Sequence, residues 1–250
     1  MLIHGHRGAR FEAPENTIPG FRYAVELGLR AIEFDIHLTR DEQLVIIHDA
    51  TVDRTTNGRG AVADLTFAEI RALDARSIFP EWPEPCIVPT FSEVMDVVGH
   101  FESVEIEIKT DLPERLDRVV PMVLAELERR DFPAGAVITS FNTYALELVQ
   151  RLRPEQPRGY IGAWDSPEFL ETAARLGATR AGIPNKTGSA EIVRAAQDQG
   201  ITVTGWPCNT REEFDILMSW NVDFLCSDAP TTILGFLDQR GAVVPSPAGD

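Results

Sequence analysis

Short apolar segments alternate with amphipathic helical segments along almost the whole chain, and this alternation restricts the fold more than any other feature. Each candidate strand is followed, directly or after a loop, by apolar residues at helical spacing. Such helices leave consecutive strands too far apart in the chain to pair as hairpins, so neighbouring strands are expected to run parallel. The candidate strands lie at residues 2–6, 31–37, 104–109, 136–140, 158–161, 180–184, 201–204 and 223–227.

Eight strand-then-helix units predict an α/β fold of the (β/α)₈ TIM barrel type. An open, doubly wound sheet is the alternative architecture, but no GxGxxG motif follows the first strand. A barrel of this type carries its catalytic groups at the carboxyl ends of its strands. His6, Asp35, Lys109, Ser140 and Asp228 all lie at such ends, which supports the barrel.

The regular pattern is interrupted after the second strand. A further short strand at residues 44–48 is followed by a loop, a short helix at 67–74, a proline-rich stretch and a helix at 92–98. Residues 51–99 contain few apolar positions, which predicts a small insertion rather than a second domain. We therefore expect one catalytic domain over residues 1–240, and a flexible tail over 241–250, where Pro, Ser and Gly are frequent.

The charge of the chain excludes several classes of partner. The formal net charge is −16, whereas nucleic acids and anionic membrane surfaces require clustered cations. A small anionic substrate remains compatible, because a local group of cations can hold one phosphate. No apolar run of about 18 residues and no signal peptide are present, so we expect no stable membrane association and a cytoplasmic location. Nothing in the sequence indicates an oligomeric state.

Acidic residues recur on two of the central strands. Side chains alternate between the faces of a strand, so Glu33 and Asp35 share one face, as do Glu105, Glu107 and Lys109. Neighbouring carboxylates repel one another unless a cation or a shared proton lies between them. A site built from carboxylate oxygens suits Mg²⁺ or Ca²⁺ rather than zinc or copper. These acids therefore predict a divalent metal site.

Two histidines and two cations accompany the acids. His6 and His48 each end a candidate strand, so the barrel can bring them to opposite sides of one bound group. Imidazole titrates near neutral pH and can transfer protons in phosphoryl chemistry. Arg7 can form a bidentate contact with phosphate, and Lys109 can add a point charge or neutralise Glu107.

Five short motifs occur in a characteristic order: HRG at 6–8, PENT at 14–17, EFD at 33–35, HD at 48–49 followed by RTTNG at 54–58, and EIK at 107–109. Ser140-Phe141, Trp206 with Asn209, and SDAP at 227–230 extend the likeness. Together these motifs resemble the glycerophosphodiester phosphodiesterase family over nearly the whole chain.

The resemblance implies a metal-dependent TIM-barrel hydrolase that cleaves glycerophosphodiesters to sn-glycerol 3-phosphate and an alcohol. By the matching positions, the metal is held by Glu33, Asp35 and Glu107, and protons are transferred by His6 and His48. The same likeness implies that Arg7 and Lys109 bind phosphate, that Trp206 lines the glycerol side, and that Glu15, Asn16 and Glu105 support these groups.

Several choices stay open at this stage. Water or the glycerol 2-hydroxyl is the nucleophile, the latter through a cyclic phosphate as in phosphatidylinositol-specific phospholipase C; by that analogy His6 is the base and His48 the acid. Glu105 replaces a common Asn, so a fourth carboxylate is expected to tighten metal binding or raise the pKa of a neighbour. The alternative functions are a lipid phosphodiesterase of the phospholipase C or D type, which predicts an exposed apolar or cationic rim, and a non-catalytic glycerophosphodiester-binding barrel.

Overall fold

Eight parallel strands close into a barrel in the computed structural model, which describes residues 1–131, 135–162, 164 and 168–240. The barrel closes because β1 pairs in parallel with both β2 and β9. A ninth strand, β3, pairs antiparallel with β2. The strands are β1 (Leu2–His6), β2 (Ala31–Leu38), β3 (Leu44–Ile46), β4 (Ser103–Ile108), β5 (Ala136–Ser140), β6 (Arg158–Tyr160), β7 (Arg180–Pro184), β8 (Thr202–Trp206) and β9 (Phe224–Ser227).

Helices follow the strands around the outside of the barrel, as the alternation predicts. They are α1 (Ile18–Glu26), α2 (Phe67–Arg71), α3 (Phe91–Val98), α4 (Pro113–Arg129), α5 (Thr143–Leu152), α6 (Phe169–Arg175), α7 (Ala190–Gln197), α8 (Arg211–Ser219) and α9 (Pro230–Gln239). The (β/α)₈ prediction is confirmed. The predicted start of the sixth helix at residue 167 and the predicted tail at 241–250 lie outside the described residues.

The β2–β3 hairpin is an exception to the prediction that consecutive strands lie too far apart in the chain to pair as hairpins. Ile36 pairs with Ile46 and Leu38 with Leu44, because the turn between these strands is short. The predicted strand at 44–48 is also shorter than expected, since β3 ends at Ile46. His48 therefore lies in the loop beyond the strand.

The inserted segment contains a small hydrophobic cluster, although its composition predicted too few apolar residues for a core of its own. Val52, Val62 and Ile70 are buried there against Val45 and Ile47 of the β2–β3 hairpin region. The cluster is separate from the main core between barrel and helices. Because it needs residues from the hairpin region, the insertion stays attached to the barrel, and a single domain over residues 1–240 remains our prediction.

The alternation of side chains in β2 divides apolar from acidic residues. Phe34 points outward, where its ring meets the ring of Phe21 at 5.8 Å and that of Phe91 at 6.1 Å. Glu33 and Asp35 point into the barrel, where both are buried. Packing of α1 and α3 on the outer face therefore holds the register that places the two acids inside.

Polar side chains also fill the lower part of the barrel. His4 is fully buried, its Nε2 lies 2.9 Å from the Ser103 hydroxyl, and its ring packs edge-on against Phe224. Burial lowers the pKa of His4 from 6.5 to about 4, because the imidazolium loses its hydration; the carboxylate of Glu105 opposes this shift.

We predict that burial of His4 lowers the free energy of unfolding as the pH falls. Its pKa is depressed in the folded state, so its contribution is complete above pH 6.5 and is lost as the pH falls toward 4. The loss amounts to about 3 kcal/mol of unfolding free energy. Urea unfolding of the wild type and of His4→Gln between pH 7 and 4 should therefore show a shallower pH dependence in the variant. Parallel curves would contradict this role of His4.

Candidate active site

Three buried carboxylates meet at the upper end of the barrel. Glu33 and Asp35 come from β2 and Glu107 from β4, whose register pairs Asp35 with Glu107. One oxygen of each acid lies within 4.8 Å of the others. The structure thus brings together the three acids that the sequence proposed as metal ligands.

Opposing charges decide how these acids ionise. Burial raises the pKa of Glu33 well above its ordinary value, and the charges of Asp35 and Glu107 raise it further. Burial and the charge of Asp35 likewise raise the pKa of Glu107 to about 7. Burial also opposes ionisation of Asp35, but the charges of Lys109 and Arg7 outweigh it and hold the pKa of that carboxyl below its usual range. Two of the three acids therefore resist ionisation unless more positive charge is supplied.

The donor set fits a hard divalent cation. All three candidate ligands are carboxylates, and Oδ1 of Asp35 is buried without a hydrogen bond from any residue that the structure describes. Lys109 places its Nζ 2.7 Å from Glu107 and 3.3 Å from Asp35, which supplies part of the missing charge. Oxygen ligands of this kind favour Mg²⁺ or Ca²⁺.

The HRG and PENT motifs interlock beside the acids. Arg7 and Asn16 both adopt the left-handed backbone conformation, and the backbone N–H of Asn16 donates to the Arg7 carbonyl oxygen at 2.9 Å. Gly8, with φ of +93°, lies so close to helix α1 that a β-carbon would approach the Gly20 carbonyl oxygen to 3.0 Å. This tight turn explains why glycine stands there.

Arg7 and Asn16 each contact an acid. The backbone N–H of Arg7 donates to Glu33 Oε2 at 3.2 Å, and the Arg7 guanidinium lies 3.4 Å from Asp35 and 3.1 Å from Glu15. Asn16 donates its side-chain amide to Asp35 at 2.8 Å. Glu15 and Asn16 thus lie where supporting residues were predicted.

His6 is oriented by an aspartate that the sequence reasoning had not assigned. Its Nδ1 forms a hydrogen bond with Asp228, and its Nε2 lies 3.7 Å from Glu33. Asn209 donates to Asp228 at 2.7 Å, and Arg10 lies 2.6 Å from it. Although burial opposes ionisation, the hydrogen bond from His6 and the charge of Arg10 lower the pKa of Asp228 to about 2.

His48 has a comparable arrangement. Its Nδ1 lies 2.7 Å from Asp49, which also accepts a 2.6 Å hydrogen bond from Arg54. Burial lowers the pKa of His48, as it does that of His6. An ionised carboxylate can only accept a hydrogen bond, so each Nδ1 carries a proton and each Nε2 remains to exchange one with a bound group.

Both histidines and all the proposed phosphate-binding groups border one cleft of about 140 Å³. Trp206 and Phe141 add aromatic side chains to its lining: Trp206 ends β8, across the barrel from β2 and β4, and Phe141 follows β5, the neighbour of β4. The cleft therefore has a charged wall suited to a phosphate and an apolar wall suited to carbon.

Glu105 does not join the three acids. It pairs in register with Glu33, one layer below Asp35 and Glu107, and forms a 2.7 Å ion pair with Arg180. The charges that raise the pKa of Glu33 come from Asp35 and Glu107. The hypothesis of a fourth carboxylate at the metal site therefore lacks support in the structure, because Arg180 already neutralises Glu105.

The sequence reasoning assigned no role to the partners that hold the site together: Asp49, Arg54, Arg180 and Asp228. The first, second and fourth could have been found, because each lies within one of the short motifs. Arg180 carried no comparable signal.

Comparisons with known proteins give the same family as the motifs. A family model described as the glycerophosphoryl diester phosphodiesterase family matches residues 6–232. A glycerophosphodiester phosphodiesterase of Caldanaerobacter subterraneus is 33% identical over 241 residues, which cover 96% of this chain and 99% of that protein. This chain belongs to the glycerophosphoryl diester phosphodiesterase family. The predictions of the family and of an enzyme of this class are confirmed.

Other family members extend the likeness. A glycerophosphodiester phosphodiesterase of Bacillus subtilis is 30% identical over 248 residues, covering 92% of this chain and 84% of that protein. The structure of an Oleispira antarctica phosphodiesterase, in complex with the product sn-glycerol 3-phosphate, superposes with a TM-score of 0.87. That protein is 26% identical, and the match covers 95% of this chain and 97% of that one.

The surface around the cleft carries exposed apolar side chains. Phe11, Ile78, Leu112 and Phe141 are exposed, and they lie in the loops that follow strands β1, β3, β4 and β5. Among the helices that the structure describes, none is both long enough and apolar enough to cross a membrane.

We predict that the contacts of Arg54 between the insertion and the active site stabilise the fold. It donates to both oxygens of buried Glu15 at 2.8 Å and also to Asp49. Arg54→Ala should lower the free energy of unfolding by about 1–2 kcal/mol, since the side chain is partly exposed and its ion pairs are partly screened. Urea unfolding measures this change.

Arg59→Ala is the matched control, because this exposed arginine of the same loop makes no ion pair with any described residue. Equal unfolding midpoints for the two variants would show that the contacts of Arg54 do not stabilise the fold.

Proposed function

We propose that this protein hydrolyses glycerophosphodiesters to sn-glycerol 3-phosphate and an alcohol, using a divalent metal held by Glu33, Asp35 and Glu107. The observation that carries the proposal is the group of three buried carboxylates, with oxygens within 4.8 Å, in the cleft that His6 and His48 border. The product named for the Oleispira antarctica relative supports this substrate class.

When bound, the metal would supply positive charge to the phosphate oxygens. Arg7 and Lys109 add cationic donors on the same wall of the cleft and help to neutralise the diester. Trp206 lines the apolar wall, against which the carbon skeleton of the substrate packs. The substrate is held between these two walls.

His6 and His48 perform the proton transfers. Asp228 and Asp49 hold the Nδ1 atoms of the two rings and leave each Nε2 available. We assign neutral His6 as the base, whose Nε2 takes the proton of the attacking hydroxyl, and His48 as the acid, which enters the reaction as an imidazolium and gives its Nε2 proton to the departing alkoxide. Phosphorus NMR of the reaction distinguishes the two nucleophiles, because attack by the glycerol 2-hydroxyl produces a cyclic phosphate and attack by water does not.

We predict that hydrolysis of glycerophosphocholine requires the metal. EDTA should abolish choline release, and added Mg²⁺ or Ca²⁺ should restore it. Calorimetry should show that Glu107→Gln weakens metal binding at least about 10-fold. Glu114→Gln, an exposed site on α4, should bind metal as the wild type does. Full activity in EDTA would rule out the metal-dependent mechanism.

We predict that replacing either histidine by alanine lowers kcat on glycerophosphocholine by about 10²–10⁴-fold while metal binding persists. A diester with a p-nitrophenolate leaving group needs no acid, because p-nitrophenolate departs unprotonated. His48→Ala should therefore regain most of its activity on that diester, and His6→Ala should not. The opposite pattern would show that His48 is the base and His6 the acid. Near-normal rates in both variants would show that the two histidines do not transfer the protons.

The exposed apolar side chains around the cleft favour a second candidate function, hydrolysis of lysophospholipids at a lipid surface. The net charge of −16 disfavours binding to anionic lipid, so this candidate requires neutral or zwitterionic aggregates. Comparing choline release from glycerophosphocholine with that from lysophosphatidylcholine, below and above its micellar concentration, separates the two functions. A rate that rises only with micelles would favour the lipid substrate.

A further inference from the structure

The floor of the cleft is built from polar groups that the proposed catalytic steps do not use. Glu105, Arg180, Thr204 and Thr139, here called the cleft floor, are all buried yet border the cleft. Glu105 is level with Glu33, and Thr139 is level with Glu107, so the floor adjoins the three acids. A small molecule held at the acids can therefore also reach the floor.

The contacts of Glu105 converge on one of its oxygens. Arg180 Nη1 and the Thr204 hydroxyl each donate to Oε1 at 2.7 Å, and His4 Nε2 lies 3.6 Å from it. Oε2 accepts no hydrogen bond from any residue of the described ranges, and it is not among the enclosed polar atoms. Glu105 thus offers the cleft a free acceptor.

Arg180 and Thr139 add further unused polar groups. Arg180 donates from Nη1 to Glu105 and from Nε to Thr202, at 2.8 Å, and its guanidinium carbon lies 4.0 Å from the centre of the Phe224 ring. Its Nη2 makes no hydrogen bond with the described residues. The Thr139 hydroxyl is buried, with the residue 2% exposed, and makes no hydrogen bond within the same part of the chain. The floor therefore contains an acceptor and donors with unused hydrogen-bonding capacity.

The charge balance of the floor selects the kind of ligand. The Glu105 carboxylate is neutralised by Arg180, so the floor attracts neither the cationic end of a choline diester nor a second anion. A neutral hydroxyl, which both donates and accepts, matches such a pair. An alkyl chain in its place would leave these polar groups unpaired, at a penalty that hydroxyl-recognising sites exploit for specificity.

Strand β7 makes room for the ring of Trp206. Gly182 borders the cleft, and a β-carbon there would approach Trp206 Nε1 to 3.2 Å. A larger residue would therefore crowd the Trp206 ring, so glycine keeps this ring at the border of the cleft.

We infer that the cleft floor recognises the free hydroxyl groups of the glycerol moiety, with Glu105 as the residue that determines this specificity. The inference rests on the proposed function and extends it. It assigns the polyol end of the diester to the floor and the alcohol leaving group to the mouth of the cleft. A glycerol whose hydroxyls are replaced by hydrogen loses these contacts.

Calorimetric titration of the metal-loaded protein with sn-glycerol 3-phosphate and with propyl phosphate tests this inference. Both ligands carry the same phosphate, so any effect on the metal or on the general charge of the cleft cancels in the ratio of their affinities. The wild type should bind sn-glycerol 3-phosphate more tightly, and Glu105→Gln should lower the ratio about 10-fold. The KM for glycerophosphocholine should rise in the variant more than kcat falls.

Glu114→Gln is the matched control, since it removes one negative charge at an exposed site on α4 that does not border the cleft. Its affinity ratio should equal that of the wild type. An unchanged ratio in Glu105→Gln would overturn the inference. Equal affinities of the wild type for the two ligands would also overturn it. If the variant does not fold, this measurement on the wild type is sufficient to test the inference.

The two proposals fail in different ways. Hydrolysis of glycerophosphocholine together with equal ligand affinities would refute the role of the floor and leave the hydrolase intact. Absence of hydrolysis together with a high affinity ratio would refute the hydrolase and leave a binding site for glycerol phosphates.

Discussion

The need to neutralise three carboxylates in one buried place governs this structure. Glu33, Asp35 and Glu107 converge inside the barrel, where burial penalises every additional negative charge. Arg7 and Lys109 offset part of that charge, yet the pKa of Glu33 and that of Glu107 both stay raised. In the proposed function, a divalent cation completes this balance and adds the positive charge that an anionic diester requires.

The surrounding residues keep this charged group in position through a small set of shared partners. Glu15 contacts Arg7 on one side and Arg54 of the insertion on the other. Arg54 continues to Asp49, which orients His48. The insertion is thus connected to His48 through charge-assisted hydrogen bonds, which are stronger and more directional than ordinary ones. Its small hydrophobic cluster, packed on the β2–β3 hairpin region, supplies the rigidity that these contacts need.

The interior of the barrel is layered by charge. The upper layer carries Asp35, Glu107 and their cations, and the layer below holds Glu33 and the neutralised Glu105–Arg180 pair. With the proposed metal bound, the upper layer would favour an anion and the Glu105–Arg180 pair an uncharged polar group, which fits the proposed glycerol phosphate. The exposed apolar side chains lie outside both layers, in the loops that follow the strands.

The sequence by itself determined the barrel, the family and most of the proposed site residues. Period-two alternation put Glu33 and Asp35 on one face of β2, and repeated strand-then-helix units implied parallel strands whose carboxyl ends meet. These inferences need only local periodicity and short motifs. Only the tertiary structure decided that Asp228 orients His6, that Arg54 reaches Glu15, and that Arg180 removes Glu105 from the acid group. His6 and Asp228 are 222 positions apart, and Glu105 and Arg180 are 75 apart, so their pairing depends on strand register and barrel closure, which local patterns do not encode.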